Sequence, residues 1–269
     1  MKFVMARNVV ALFLAALMFT SLGCKTKAGG GVNFFSVQDD IELGKQVKQE
    51  IESNPSDFPI LKESGNEQIY AYIRSLANVV LNSGRVEHKD DFAWEIKIID
   101  DDETLNAFCT PGGYIYVYTG LIKYLDSEDQ LMGVLGHEIA HAALRHSTRQ
   151  LTQLYGLQIV GSILTGNSEP GLIEQIALSL ASLKFSRKHE TEADNRSVVY
   201  LCGTSRNASG AAGFFKKIQG QAGTPPQFLS THPDPGNRVQ NIETLSEDLG
   251  CKGTQTNQSK YASMKNLLK

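Results

Sequence analysis

The stretch His137-Glu138-Ile139-Ala140-His141 constrains this chain more than any other. Histidines at i and i+4 lie one above the other on one face of an α-helix. Both imidazoles can then reach a single metal ion, and Glu138, one residue round, can reach a water beside it. The pattern therefore demands a helix, a core to hold that helix, and a third protein ligand from elsewhere in the chain. The chain has the means for a core: it has 269 residues, 41% of them hydrophobic and 20% charged. That is an ordinary globular balance, enough for one sizeable domain. A formal charge of -3, with no basic patch interleaved with aromatics, excludes nucleic acid as a partner.

The first 23 residues read as an address. Lys2 and Arg7 precede an apolar run from Val9 to Leu22, broken only by Thr20 and Ser21. The run is too short for a bilayer span, which needs about 20 residues, and suits the core of a secretory signal. It ends Ser21-Leu22-Gly23-Cys24, which resembles a bacterial lipobox, where cleavage leaves an acylated cysteine. An uncleaved anchor, or plain secretion with a structural cysteine, is the alternative. The expected organisation is a signal peptide over 1–23, a lipid-anchored tether over 24–35, one domain over 36–250 and a loosely attached polar tail over 251–269.

Ser36-Val37-Gln38-Asp39 is a capping-box variant that opens a helix, and Asn66 to Ser83 carries a second amphipathic pattern closed by Gly84. Both serve as scaffold. Phe92 to Ile98 alternates like a strand, and Leu105–Cys109 and Tyr114–Tyr118 flank Pro111-Gly112-Gly113 as a hairpin. Asn106, Ala107 and Phe108 then form either an ordinary buried strand or an edge that pairs with an extended peptide substrate through backbone groups.

Ser127-Glu128-Asp129-Gln130 is another capping box, opening the helix of His137 and His141. His146 lies five residues past His141, about 140° round a helix, and reads as structural unless the helix ends first. The third ligand is sought in Phe185 to Asp194. Glu190 and Asp194 are one turn apart, so one carboxylate can bind the metal while the other holds a ligand histidine by its free N–H. Glu192 competes with Glu190, but a two-residue offset points it about 160° away, so both cannot serve. His189 reads as a surface histidine.

HExxH followed by Glu190-x-Glu192-Ala193-Asp194 resembles the HtpX/CAAX-prenyl-protease family of gluzincin peptidases. The resemblance extends through the Asn106-Ala107-Phe108…Pro111-Gly112-Gly113 hairpin, Ser186-Arg187, and His232-Pro233…Arg238, roughly residues 36 to 245. It implies a small, soluble, lipid-anchored periplasmic branch. The implied fold is α+β: a mostly helical metallopeptidase domain with a small antiparallel sheet beside the HExxH helix. It implies one zinc ion on His137, His141 and Glu190, with Glu138 as general base and Asp194 behind a ligand. His232 could stabilise an oxyanion, or fill the fourth zinc position and keep the enzyme latent, or merely cap a loop. Arg238 could stabilise the oxyanion or pair with an acid such as Asp194. The implied activity is endopeptidic cleavage of misfolded or misassembled envelope proteins near the outer membrane. A client-binding assembly factor with latent proteolysis is the second reading, motivated by the apolar stretch 151–183, which is either core or an exposed surface.

Four cysteines complete the inventory. With Cys24 lipidated, three remain; a Cys202–Cys251 bridge would tie the second zinc-site helix to the last helix and leave Cys109 free.

Overall fold

The computed structural model describes residues 32–167, 169–220 and 226–268. The expected signal peptide, Cys24 and the tether up to residue 31 lie outside the described residues. Ser36 opens helix α1 (Val37–Ser53) as its spacing predicts. Its hydroxyl accepts from the Asp39 amide at 3.1 Å, and the Asp39 carboxylate accepts from the Ser36 amide at 2.6 Å. Two amides that a helix end would otherwise leave orphaned are thereby satisfied. Helix α2 (Glu67–Leu81) follows, then strands β1 (Glu95–Ile99), β2 (Ala107–Thr110) and β3 (Tyr114–Tyr118).

Strands β2 and β3 form the expected antiparallel hairpin, with Ala107 opposite Val117 and Thr110 opposite Tyr114. At its turn Gly112 and Gly113 hold φ of 76° and 85°, the left-handed region that glycine enters without a Cβ clash. Strand β1 joins the far side of β3 in parallel, giving the order β1-β3-β2. The sheet is therefore mixed, where an antiparallel one was expected. The chain crosses from β1 to the opposite edge before the hairpin returns it to the middle, so β3 runs the same way as β1.

The sheet separates two apolar cores, and strand alternation assigns residues to them. Ala107, Cys109, Ile115 and Val117 face a core built with α2 and the helices that follow the sheet. Phe108, Tyr114, Tyr116 and Tyr118 face a second core shared with α1. Helices α3 (Thr119–Tyr124), α4 (Glu128–Ala143), α5 (His146–Leu164), α6 (Leu172–Ala181) and α7 (Arg187–Leu201) come next. Helix α4 carries the HExxH residues and α7 crosses it. The crossing is close because Gly136 faces Ser197: a Cβ at Gly136 would stand 2.6 Å from the Ser197 hydroxyl. That hydroxyl donates to the Gly133 carbonyl at 2.8 Å.

Among the described residues, part of the apolar stretch 151–183 is core. Leu151, Val160, Ile176 and Leu180 are buried with α1 and Phe108, while Leu154 and Leu178 are exposed. Helix α5 breaks at Gly156, where φ is 67°. Among the described residues no helix is long and apolar enough to cross a membrane.

Helices α8 (Gly210–Gln219), α9 (Gln227–Thr231), α10 (Arg238–Asp248) and α11 (Gln258–Lys265) complete the order. The last segment differs from the loose tail expected. Tyr261 is fully buried and donates to the Ile122 carbonyl at 2.7 Å, and Asn257 bonds Glu128 at the start of α4. Its overall polarity masked one aromatic anchor and a buried carboxylate waiting for donors. A Cys202–Cys251 disulfide ties the end of α7 to this segment, and Cys109 is a free buried thiol.

Candidate active site

Helix α4 presents His137 and His141 one turn apart, α7 presents Glu190, and the residue after α9 presents His232. None of the four is more than 1% exposed. His137 Nε2 lies 2.9 Å from His141 Nε2 and 3.2 Å from His232 Nδ1. The Glu190 carboxylate stands 3.3 Å from His137 Nε2, 3.4 Å from His141 Nε2 and 3.2 Å from His232 Nδ1. Donors held ~2.0–2.1 Å from one tetrahedral ion stand about 3.3 Å from each other. The four atoms therefore converge as ligands of one metal ion would.

Glu138 supplies an independent test of that fit. Its carboxylate is fully buried beside the cluster, and among the described residues its polar neighbours are only the Cys109 thiol and the His232 ring. His232 Nε2 lies 3.4 Å from it, a long contact, and among the described residues makes no shorter hydrogen bond. A buried carboxylate left this way is costly unless it serves a bound group. Burial raises the Glu138 pKa, and His232 and His137 only partly counter it. A raised carboxylate pKa suits a proton acceptor that must later release what it takes.

The carboxylates around the cluster have distinct partners. Asp194 Oδ1 accepts from His137 Nδ1 at 2.9 Å, which turns Nε2 toward the cluster, as the i, i+4 spacing from Glu190 predicted. Arg238 is 1% exposed and takes the pairing alternative: it reaches Asp194 at 2.7 and 2.8 Å and Glu190 at 2.9 Å. Its guanidinium also lies 3.9 Å over the Phe215 ring. Burial opposes charge on His137, yet Glu190 and Asp194 outweigh it and hold the metal-free pKa up at about 9. Burial also opposes the Glu190 charge, but His232 and His137 keep its carboxyl well below the usual range. Burial and the neighbouring His137 push His141 well down.

Glu192 faces away from the cluster, as its two-residue offset requires, and meets His146 at 3.2 Å. His146 returns to the site because α4 ends at Ala143, and its Nδ1 lies 2.9 Å from His141 Nδ1. His189 differs from the surface residue expected: it is 5% exposed and stacks on His146 with centroids 4.3 Å apart. Neither contact was visible from periodicity, since a left-handed residue between two helices leaves no composition signal.

Asn106, Ala107 and Phe108 lie beside these residues. Among the described residues β2 is an edge, with no strand on its outer side. Its side chains are buried, with Cys109 toward α4 and Phe108 toward α6. The Asn106 side-chain oxygen accepts from Thr231, next to His232, at 3.3 Å.

Residues 65–246 match a family model described as Peptidase family M48. The chain belongs to peptidase family M48. It is a metal-dependent peptidase by family and by its donor set. Similar proteins include the mitochondrial metalloendopeptidase OMA1 of Schizosaccharomyces pombe, 28% identical over 80% of this chain and 68% of that protein. The human metalloendopeptidase OMA1 is 31% identical over 56% of this chain and 32% of its own length. The beta-barrel assembly-enhancing protease of Escherichia coli is 28% identical over 61% of this chain and 37% of its own length. The chain thus spans well under half the length of the last two relatives. The HtpX/CAAX-prenyl-protease resemblance identified the right family but a different branch from these proteins.

Proposed function

We propose that this chain is a zinc endopeptidase that cleaves unfolded or misassembled proteins of a bacterial cell envelope. The observation that carries the reading is the fully buried, weakly partnered Glu138 carboxylate beside four converging metal donors. His137, His141 and Glu190 would hold the zinc, and two neutral imidazoles with one carboxylate suit that ion. When bound, the zinc supplies Lewis-acid polarisation of the peptide carbonyl and makes water attack feasible near neutral pH.

The chain's own residues account for the rest. Glu138 accepts the proton of the attacking water and delivers it to the leaving amine. Strand β2, through Asn106, Ala107 and Phe108, pairs with an extended substrate by backbone hydrogen bonds, which is why sequence preference is broad and unfolded clients are favoured. Asp194 fixes the His137 ring, and Arg238 holds Asp194 and Glu190 in place. His232 would supply a further donor to a bound zinc, and in that position would keep the enzyme latent until a client displaced the loop after α9. The near-complete burial of all four donors supports this latency.

Lipid attachment at Cys24 would hold the enzyme in the periplasm at the outer membrane, where β-barrel proteins assemble. The assembly-enhancing name of the bacterial relatives supports that site of action. Casein cleavage by the purified protein, abolished by phenanthroline and restored by zinc, tests the activity. Cleavage that survives the chelator would overturn the metal mechanism. Loss of a palmitate-analogue label in Cys24→Ala tests the anchor, and a label that persists in the variant would rule Cys24 out.

A further inference from the structure

Helix α4 ends at Ala143, and the chain then makes an abrupt reversal. Arg145 holds φ of 59°, a left-handed conformation that a side chain makes unfavourable. It is pinned there by its own guanidinium, which bonds the buried Asp40 carboxylate at 2.6 and 3.0 Å and the Phe35 carbonyl at 2.6 Å. The consequence falls on the next residue. A continuing helix would carry His146 about 140° away from His141. The reversal instead brings their Nδ1 atoms to 2.9 Å.

The protons on these rings have one consistent arrangement. A metal held by His141 Nε2, which faces His137 and Glu190, would take the lone pair there and leave the ring proton on Nδ1. That proton can be donated only to His146 Nδ1, so His146 carries its own proton on Nε2. His146 Nε2 in turn lies 3.2 Å from the Glu192 carboxylate, which accepts it. Every donor then meets an acceptor, with both rings neutral. Phe185 stacks on His141 with centroids 4.0 Å apart, and His189 stacks on the far ring at 4.3 Å. Each imidazole is therefore clamped on one face, with the two ring planes 74° apart across their hydrogen bond.

We infer that His146 is a positioning residue for the metal ligand His141, and that Glu192 anchors it as the end of a Glu192–His146–His141 relay. The two α4 ligands are thus supported differently. His137 leans directly on a carboxylate, Asp194. His141 reaches its carboxylate through a second histidine. A partner behind a ligating histidine fixes the tautomer and makes the ligand nitrogen more basic. The inference rests on the proposed assignment of His141 as a metal ligand.

The test is the zinc dissociation constant of the purified protein, measured by chelator competition, with the visible spectrum of the cobalt-substituted form as a second readout. His146→Leu fills the space without an acceptor and is expected to weaken zinc binding by about 10–100-fold. His146→Asn places an amide oxygen near the position of Nδ1 and is expected to recover most of that loss. Glu192→Gln, at a partly exposed position, keeps an acceptor but removes its charge, and is expected to weaken binding by a few-fold and shift the cobalt bands. A structural histidine predicts instead a lower melting temperature with unchanged zinc affinity in all three variants. Parent protein that binds zinc beside a His146→Leu variant that binds equally tightly overturns the relay alone. Parent protein that binds no zinc overturns the ligand assignment and the relay with it. Should His146→Leu fail to fold, Glu192→Gln with unaltered affinity and spectrum overturns the relay.

Discussion

Gly136→Ala probes whether the approach of α4 and α7 builds the site. A Cβ at Gly136 would lie 2.6 Å from the Ser197 hydroxyl and 3.3 Å from its Cα and Cβ. Alanine in a helix interior is intrinsically better than glycine by about 1 kcal/mol. Against that, the Ser197 hydroxyl must leave the Gly133 carbonyl, which it bonds at 2.8 Å, at a cost of about 1 kcal/mol. The helices must also move apart by a few tenths of an ångström, and overpacking of this kind costs roughly 1–3 kcal/mol. The net expectation is a loss of about 1–3 kcal/mol, read by urea unfolding of the metal-free protein so that ligand binding does not mask it. Ser197→Ala alone should cost under about 1 kcal/mol, because the Gly133 carbonyl keeps its helical partner. In the double variant the closest clash is gone, so its loss should fall short of the summed single losses by at least about 0.5 kcal/mol. Strict additivity, or a Gly136→Ala protein as stable as the parent, would refute the close crossing.

Three further outcomes follow from the same geometry. Arg238→Ala strands two buried carboxylates and should destabilise the metal-free protein by about 3–5 kcal/mol, measured by urea unfolding; a loss under 1 kcal/mol would mean Asp194 and Glu190 do not depend on it. Tyr261→Ala should cost about 3–5 kcal/mol, whereas a loose C-terminal tail predicts no change. In the metal-free protein His137 titrates at about 9, above its ordinary value of 6.5. Its stabilising charge is therefore complete below pH 6.5 and lost as pH rises through about 9. Zinc must displace that proton, so its apparent affinity should rise steeply, about tenfold per unit, between pH 7 and 8.5 and level off above 9. An affinity flat across pH 7 to 8.5 would contradict a protonated His137.

Features set by local spacing were legible in the sequence. The i, i+4 relation of His137 and His141, the Ser36 cap, the Pro111-Gly112-Gly113 turn and the Glu190–Asp194 pair all appear where spacing put them. Helix geometry says only that Glu190 and Glu192 cannot both serve; the preference for Glu190 comes from the family resemblance, and Glu190 is the one that stands in the cluster. What escaped was set by contacts distant in the chain. Strand β1 joins in parallel because of the order in which the sheet is crossed, which alternation does not encode. His146 and His189 are buried because Arg145 reverses the chain, and Arg145 is held by Asp40, 105 residues earlier. Tyr261 and Asn257 dock on residues more than 120 positions away, so a polar composition read locally as a tail.

The most direct measurement is zinc content and casein cleavage, side by side, for the parent protein and Glu138→Gln. Glutamine keeps the size of the buried Glu138 side chain but cannot take a proton. One zinc per chain in both proteins, with cleavage in the parent only, is the predicted result. Equal cleavage by Glu138→Gln would contradict its role as the base, and absence of zinc from both would contradict the metal site on which the account stands.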